Sequence, residues 1–363
     1  MQKQFRHIKI KSCDPYERGV QYGLQASDLI KKALNGYKRH FDKAIGFGWG
    51  DIVKKSNLYI PYTEKYYPDE LSEMRGIASG SGVSDEEIMA LNCRYEILKL
   101  KPHECTTGVL LQEVTKERKV YLLQNWDYRP WVERHAIIVD IDDGRGTHII
   151  GVTEAGQLVR NGMNNYGIGL CANNLTSIYD TGEIGAPVTF VRRKALNCNN
   201  YEDLWRTVFY ADRGVSCNFI LASKNNSAID LEATPGAVFS VNPESGILTH
   251  ANHMIEGASV CTNTGNKFRD KVLRRLLLEK QGEIDLNVIK SVLRNHERFP
   301  GVGDTYPAVN CIEAVCSHTP HGDYDEDAVW KTISSSIYNL TDGIAYICKG
   351  CPCEGEYIEY RLQ

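Results

Sequence analysis

The pattern of the sequence changes at Cys105, and this change constrains the fold more than any other feature. Before it, apolar residues recur at helical spacing, most clearly over residues 14–45 and 84–98. After it, short apolar runs alternate with polar or glycine-containing breaks, which is typical of antiparallel strands. The chain therefore predicts a helical region over residues 1–104 and a strand-rich region over residues 105–363.

The strand-rich region also contains two pairs of predicted helices. Helices are predicted at 187–198, 201–211, 266–280 and 285–294, whereas residues 161–167 have the composition of turns. Strands are predicted at 107–114, 119–125, 136–142, 147–153, 157–160, 216–223, 227–232, 236–241, 246–250, 333–340 and 343–348. This order favours a layered α+β sandwich in which helices cover the sheets. The sequence has no repeat or clear linker, so we expect one compact unit.

Charge and hydropathy exclude several classes of partner. The net charge of −4 and the pI near 6.2 give no support for nucleic acid or an anionic membrane surface as a partner. No apolar stretch reaches the roughly 18 residues of a membrane span. The first residues, 1–7, lack the apolar core of a signal peptide. We therefore expect a cytoplasmic protein without a membrane partner.

The twelve cysteines raise the question of disulfides or metal. Without a signal peptide, reduced thiols are expected in so large a chain. Cys348, Cys351 and Cys353, joined by Cys311 and Cys316, suggest a four-thiolate site. However, glycine and proline make this tail rich in turns, and neither spacing is that of a familiar zinc knuckle. The sequence therefore predicts no metal and no cofactor.

Several short motifs follow one another after Cys105. In this order, over residues 105–355, the chain resembles the acyl-CoA:6-aminopenicillanic-acid acyltransferase family, a branch of the N-terminal-nucleophile (Ntn) hydrolases. The motifs are Cys105-Thr106-Thr107, Gln124-Asn125-Trp126-Asp127-Tyr128, Gly169-Leu170-Cys171-Ala172-Asn173-Asn174-Leu175, Pro187-x2-Phe190-x-Arg192-Arg193-x2-Leu196, Ser216-Cys217-Asn218-Phe219, Leu248-Thr249-His250-Ala251-Asn252-His253, Ser334-Ser335-Ser336 and Cys351-Pro352-Cys353-Glu354.

The resemblance implies a specific fold and division of the chain. The fold would be a four-layer αββα sandwich of two stacked, mainly antiparallel sheets, with a helical N-terminal leader. Residues 1–104 would form the leader, or α-chain, packed on the core. Residues 105–363 would form the catalytic core, or β-chain.

The resemblance also implies that Cys105 cuts the peptide bond between Glu104 and itself. The new N-terminal residue would then carry both a thiol and an α-amine. A thiol has a pKa near 8.5 and is mostly protonated at neutral pH, whereas an α-amine has a pKa near 7.7–8.0. A useful fraction of the amine is neutral and can take the thiol proton, so one residue supplies both nucleophile and base.

Further site residues follow from the same resemblance. Asp127 would orient the α-amine, and Asn173 or Asn174 would hold the scissile carbonyl. Asn252 would donate to the oxyanion, a contribution of about 3–4 kcal/mol when well placed. Arg269 matches the family's arginine near the site. His250 and His253 are weaker candidates for a Cys-His dyad, because an offset of three in a strand places them on opposite faces.

Glu104 departs from the family pattern. The penicillin-biosynthesis enzyme of the family has glycine before its nucleophile, and glycine permits backbone conformations that Glu104 does not. This departure supports an alternative, a non-catalytic or unprocessed binding protein that keeps the fold.

The leading prediction is an autoprocessed cysteine amidohydrolase or acyltransferase that acts on a linear amide through an acyl-Cys105 intermediate. The substrate would be a small-molecule N-acyl amine, N-acyl amino acid or small peptide. An acyl-CoA-dependent N-acyltransferase is the alternative enzyme, although no phosphate-binding loop for CoA stands out. The sequence leaves open a homo-oligomer.

Overall fold

In the computed structural model, residues 4–98, 105–263, 267–298 and 313–362 are described. The first range is helical except for one strand. The long helix starts where Asp14 accepts hydrogen bonds from the backbone N–H groups of Tyr16 and Glu17, and it ends before Gly46 in the left-handed conformation. The elements are β1 Arg6–Lys11, α1 Pro15–Ile45, α2 Trp49–Asn57, α3 Ile60–Tyr66, α4 Pro68–Ser81, α5 Asp85–Asn92 and α6 Arg94–Leu98.

Helices α1 and α4 touch backbone to backbone. A Cβ atom added at Gly19 would lie 1.9 Å from the carbonyl oxygen of Glu73, so only glycine permits this approach. The Glu73 carboxylate lies 3.2 Å from Nε of Arg18 and 2.7 Å from a guanidinium nitrogen of Arg193. This buried ion triad connects the N-terminal helices to the strand-rich part of the chain.

The remaining ranges form two sheets and their covering helices. These elements are β2 Thr106–Leu110, β3 Tyr121–Tyr128, a 3₁₀ helix Pro130–Arg134, β4 Ala136–Asp142, β5 His148–Glu154, β6 Asn161–Asn164, β7 Ile168–Asn174, α7 Val188–Leu196, α8 Tyr201–Phe209, β8 Cys217–Ser223, β9 Ser227–Ala233, β10 Val238–Val241, β11 Ile247–His250, α9 Arg269–Leu278, α10 Leu286–Leu293, β12 Lys331–Asn339, β13 Ile344–Lys349 and β14 Tyr357–Arg361.

The described strands form two sheets with an antiparallel majority of pairs. The first has the order β1-β4-β5-β6-β7-β8-β9-β10, and the second has the order β11-β2-β3-β12-β13-β14. β1 and β4 form a parallel pair. The two sheets stack, with β2 and β3 of the second facing β7 of the first. Helices α7 and α8 cover the outer face of the first sheet, and α9 covers that of the second.

Side chains of the central strands alternate between two apolar layers. Val109 and Leu122 belong to the core between the sheets, whereas Leu110 and Leu123 pack with the α9 and α10 side. Both faces of β2 and β3 are therefore buried, as alternation in a covered sheet requires. The predicted four-layer α+β sandwich with N-terminal helices is confirmed.

Three details of the predicted elements are wrong. β1 and β14 were not predicted, and the strand expected at 157–160 lies instead at Asn161–Asn164. The sequence of β6 consists of turn-forming residues, but its asparagines have partners elsewhere in the fold. Asn161 donates to Oε1 of Gln124, and Asn164 donates to the carbonyl oxygens of Leu196 and Cys198. These tertiary bonds override the local preference for a turn.

No helix in the described ranges combines the length and the apolar character that crossing a membrane requires.

Replacing Gly19 with alanine tests the close packing of α1 on α4. We expect Gly19→Ala to lower the free energy of unfolding by about 1–3 kcal/mol or more, because the new methyl group meets backbone atoms that cannot move alone. Gly50→Ala, in α2 with nothing near its missing Cβ, is the control and should raise stability slightly. Urea denaturation monitored by circular dichroism measures both. Equal stability of the two variants would contradict this packing.

Candidate active site

Cys105 lies directly before β2, an interior strand of the second sheet between β11 and β3. Its side chain is buried, and its Sγ lies 3.8 Å from the backbone carbonyl oxygen of Asp127 on β3. The antiparallel register of β2 and β3, in which Thr106 pairs with Asn125, brings Cys105 close to Asp127. The thiol thus lies at the beginning of a strand that is paired on both sides.

The backbone nitrogen of Cys105 is bound by Asn252. The Cys105 N–H donates to Oδ1 of Asn252 at 2.6 Å, and the same oxygen accepts a hydrogen bond from Arg269 at 2.8 Å. The amide nitrogen of Asn252 donates to the carbonyl oxygen of Asn174 at 3.0 Å. All three partners require this orientation of the amide. Asn252 therefore accepts a hydrogen bond from the Cys105 nitrogen, and its role as oxyanion donor stays a prediction.

Arg269 and Asp127 form a buried ion pair beside the thiol. A guanidinium nitrogen of Arg269 lies 3.3 Å from Oδ2 of Asp127 and 3.1 Å from Oγ1 of Thr106. The other carboxylate oxygen of Asp127 accepts a hydrogen bond from the Thr332 hydroxyl at 2.5 Å. The structure thus brings Cys105, Asp127, Asn252 and Arg269 together, as the sequence predicted.

The two neighbouring asparagines of β7 differ in their surroundings. Asn173 is buried, and its amide nitrogen donates to Oγ1 of Thr107 at 2.9 Å and to the carbonyl oxygen of Ala251 at 3.0 Å. The Asn174 side chain is half-buried, borders the same cavity as Cys105 and makes no hydrogen bond to the described residues. Asn174 therefore has a free amide to offer a substrate, whereas Asn173 braces the strands.

Burial is the largest influence on the pKa of the Cys105 thiol, and it raises that pKa. Desolvation, and then the negative charge of Asp127, raise the pKa of the Cys105 thiol to about 12, while Arg269 and Arg160 lower it only partly. At pH 7 about one thiol in 10⁵ is then ionised. In the continuous chain Cys105 is thus a neutral thiol, and ionisation needs a base close to the sulfur.

A cavity of about 30 Å³ lies beside Cys105, and three arginines line it. They are Arg94 on α6, Arg160 before β6 and Arg192 on α7. None of the three was a predicted site residue, although Arg192 belongs to the Pro187–Leu196 motif. The available signal was a pair of arginines inside the short, otherwise apolar start of α7.

The three arginines have too few carboxylates among the described residues to balance them. Glu154 pairs with Arg94 and lies 3.4 Å from Arg160. Arg192 contacts the Cys217 sulfur at 3.2 Å and has no ion pair in the described structure. Nearby Glu96 is not a reliable counter-charge, because burial raises its pKa to about 7. The cavity is therefore positive and suited to an anion.

The remaining predicted residues have other surroundings. Glu104, with the bond before Cys105, lies outside the described residues, as does Cys311. His250 and His253 do not lie on opposite faces of a strand, because β11 ends at His250 and the two rings stack with centroids 6.1 Å apart. Two buried carboxylates, of which Glu232 lies at 3.0 Å and Asp230 at 3.7 Å, hold His250.

The chain is also similar to a known family and to known proteins. The family model described as acyl-coenzyme A:6-aminopenicillanic acid acyl-transferase matches residues 114–353. The 40 kDa form of acyl-coenzyme A:6-aminopenicillanic-acid-acyltransferase from Emericella nidulans is 24% identical over 250 residues, which cover 66% of this chain and 67% of that protein.

Two solved structures are also similar. An N-acylethanolamine-hydrolyzing acid amidase ortholog from Caenorhabditis elegans is 17% identical, with a TM-score of 0.47, covering 65% of this chain and 93% of that one. A variant of the conjugated bile acid hydrolase from Clostridium perfringens is 13% identical, with a TM-score of 0.45, covering 71% of this chain and 97% of that one.

Removing the charge of Asp127 tests the buried ion pair. We expect Asp127→Asn to lower the free energy of unfolding by about 3–5 kcal/mol, because Arg269 keeps its charge without a charged partner. Glu202→Gln, which breaks the exposed ion pair with Arg206, is the control and should cost less than about 0.5 kcal/mol. Chemical denaturation measures both values, and a loss for Asp127→Asn no larger than the control's would contradict the buried pair.

Proposed function

The chain belongs to the acyl-coenzyme A:6-aminopenicillanic acid acyl-transferase family, shown by its match over residues 114–353, and on this premise we propose that it cleaves a linear amide through an acyl-Cys105 intermediate. The observation that carries the proposal is the contact of the Cys105 nitrogen with Asn252, beside a buried thiol at the edge of a cavity. That nitrogen becomes the α-amine once the preceding bond is cut. Residues 1–104 and 105–363 would then be the two chains of the mature protein.

The α-amine would act as the base for the thiol. Its pKa of about 7.7–8.0 in an unperturbed chain leaves a useful neutral fraction near neutral pH, whereas the buried thiol alone stays protonated. Oδ1 of Asn252 would keep one amine hydrogen occupied, so that the nitrogen lone pair is directed toward the sulfur. Arg269 would orient Asn252 and also balance the charge of Asp127.

In the first half-reaction the sulfur attacks the carbonyl carbon of the amide, and its proton passes to the α-amine. The oxyanion would accept a hydrogen bond from the free amide of Asn174, which is worth about 3 kcal/mol when well placed. The ammonium group then returns the proton to the leaving nitrogen as the C–N bond breaks. Water attacks the resulting thioester in the second half-reaction and releases a carboxylic acid and the free thiol.

Hydrolysis and transfer differ only in what attacks the thioester. An amine in place of water would make the chain an acyltransferase, the activity for which the Emericella nidulans relative is named. We propose hydrolysis as the primary activity because no glycine-rich phosphate-binding loop for CoA stands out in the sequence. Acyl transfer from acyl-CoA is the second candidate, and the family name favours it.

The arginines of the cavity would select a substrate that carries a carboxylate near its amide. Arg192 is the first candidate to bind it, because in the described structure it lies in the cavity wall without an ion pair. Arg160, 3.4 Å from Glu154 and stacked over the ring of Trp126, would add a second positive charge. An N-acyl amino acid or a small peptide has this chemistry, and an N-acyl amine without a carboxylate does not.

The intact mass of the purified protein tests processing and the identity of the nucleophile. We expect fragments corresponding to residues 1–104 and 105–363, and we expect Cys105→Ala to remain one full-length chain without turnover. Cys348→Ala is the control, because Cys348 is also a buried thiol whose pKa burial raises to about 12. It should be cleaved and active like the wild type.

A full-length wild-type chain that is unchanged on long incubation and inert towards thiol-directed acyl probes would contradict the enzyme. It would instead support the unprocessed binding protein. Equal loss of cleavage in the Cys105 and Cys348 variants would show that Cys105 is not the specific nucleophile.

A pair of substrates tests the role of Arg192. The pair consists of an N-acyl amino acid and the N-acyl amine that lacks only the carboxylate. We expect Arg192→Met to lower kcat/KM for the amino acid conjugate by about 10- to 100-fold, the value of one charge-assisted hydrogen bond, and to affect the amine far less. Arg206→Met, on the exposed face of α8, should change neither. An equal loss for both substrates would exclude carboxylate recognition by Arg192.

A further inference from the structure

Two histidines and two cysteines, none of which lines the cavity beside Cys105, meet at a second site. His296 follows α10, Cys316 and His318 lie in the segment before β12, and Cys353 lies in the turn after β13. Their ligand-type atoms all lie within 4.8 Å of one another. His296, Cys316 and His318 are buried, and Cys353 is half-buried.

The distances between these atoms fit a tetrahedron around one ion. With zinc–sulfur bonds of about 2.3 Å and zinc–nitrogen bonds of about 2.0–2.1 Å, tetrahedral geometry requires separations of about 3.8 Å (S–S), 3.3 Å (N–N) and 3.6 Å (S–N). The sulfurs of Cys316 and Cys353 lie 3.6 Å apart, and the Nε2 atoms of His296 and His318 lie 3.3 Å apart. Nε2 of His318 is 3.6 Å from the Cys316 sulfur and 3.2 Å from that of Cys353.

We propose that His296, Cys316, His318 and Cys353 bind Zn²⁺ in a closed, structural Cys₂His₂ site. Four protein ligands leave no open position for water, which separates a structural zinc site from a catalytic one. A disulfide is a poorer account of the two cysteines, because their sulfurs are 3.6 Å apart against a bond length of about 2.05 Å. A disulfide would also leave the convergence of His296 and His318 on the sulfurs without a purpose.

The neighbours of the four residues have supporting positions. Oε1 of Glu354 lies 3.6 Å from Nδ1 of His318, on the ring nitrogen away from the proposed ion, where zinc-binding histidines commonly have a carboxylate. Cys351 also contacts Cys316 and His318, but its thiol donates to the carbonyl oxygens of Ser317 and Thr332, each at 3.5 Å. We assign Cys351 to the surroundings of the site and not to the four ligands.

The sequence spacing concealed this site. Neither the spacing of Cys348, Cys351 and Cys353 nor that of Cys311 and Cys316 is that of a familiar zinc knuckle. The histidine ligands come from other segments, and His296 precedes Cys353 by a long stretch of chain that includes β12 and β13. Only the fold brings the four side chains together.

The proposed ion would also fix a residue of the thiol site. Ser317 lies between the ligands Cys316 and His318, and its N–H donates to Oγ1 of Thr332 at 2.9 Å. The backbone N–H of Thr332 donates to the Ser317 carbonyl oxygen at 2.9 Å. Oγ1 of Thr332 accepts this bond through a lone pair, and because a carboxylate can only accept, its single hydrogen is donated to Asp127. The zinc site is thereby a positioning device for the Asp127 carboxylate.

Metal analysis of the full-length protein tests the proposal. We expect about one Zn²⁺ per chain after purification in zinc-supplemented medium, and less than about a tenth of that in Cys316→Ser and Cys353→Ser. Cys348 is a buried thiol outside the four-residue site, so Cys348→Ala is the control and should keep its zinc. Cys351→Ala should keep it as well, and a loss equal to that of Cys353→Ser would overturn the assigned ligand set.

Cobalt substitution of the wild type keeps the test decisive if the cysteine variants do not fold. Co²⁺ in this site should give thiolate-to-metal charge-transfer absorption and the visible bands of tetrahedral cobalt. Removal of the metal by a chelator should lower the Tm of the wild type. A wild-type protein that takes up neither ion, or in which Cys316 and Cys353 are joined by a disulfide, would overturn the proposal.

Discussion

The rest of the candidate site depends on the hydrogen bonds and the ion pair of the buried Arg269 guanidinium. Arg269 is one of the largest fully buried side chains among the described residues, and it begins α9. From there it reaches Thr106 on β2, Asp127 on β3 and Asn252 after β11. A buried charge persists only when it is paired and hydrogen-bonded, so this one group restricts the relative positions of four segments. The orientation of Asn252, and through it the Cys105 nitrogen, follows from that restriction.

The charge around the thiol differs from the charge across the cavity that it borders. Around the thiol, the opposite charges of Asp127 and Arg269 shift the pKa of Cys105 in opposing directions, so burial decides its value. Across the cavity, Arg160 and Arg192 are not fully balanced by carboxylates of the described residues. Burial lowers the pKa of Arg160 to about 10, so this guanidinium still carries its charge at neutral pH. A nearly neutral reaction centre therefore faces a positive binding wall.

The sequence predicts features that depend on neighbouring residues better than features that depend on distant segments. Local periodicity and capping residues predict α1, and alternation predicts most strands, because these signals act between near neighbours. The grouping of Cys105, Asp127, Asn252 and Arg269 came from ordered motifs. The choice between Asn173 and Asn174 needed the register of β7 against its neighbours, since adjacent strand residues point to opposite faces. The arginine cavity, the strand β6 and the His296–Cys316–His318–Cys353 cluster depend on distant segments, and no local pattern encodes them.

The high pKa of the Cys105 thiol has a consequence for the order of events in the proposed maturation. In the continuous chain burial leaves only a small fraction of the Cys105 thiol ionised at pH 7, and the Cys105 nitrogen, an amide, has no basic lone pair to take the proton. Such a fraction still permits one slow intramolecular attack, because the preceding carbonyl is covalently tethered and has a high effective concentration. It does not suit repeated attack on a free substrate. Cleavage would convert the Cys105 nitrogen, already bound by Asn252, into an α-amine that can act as a base. The step that frees Cys105 as a nucleophile would therefore also supply its base.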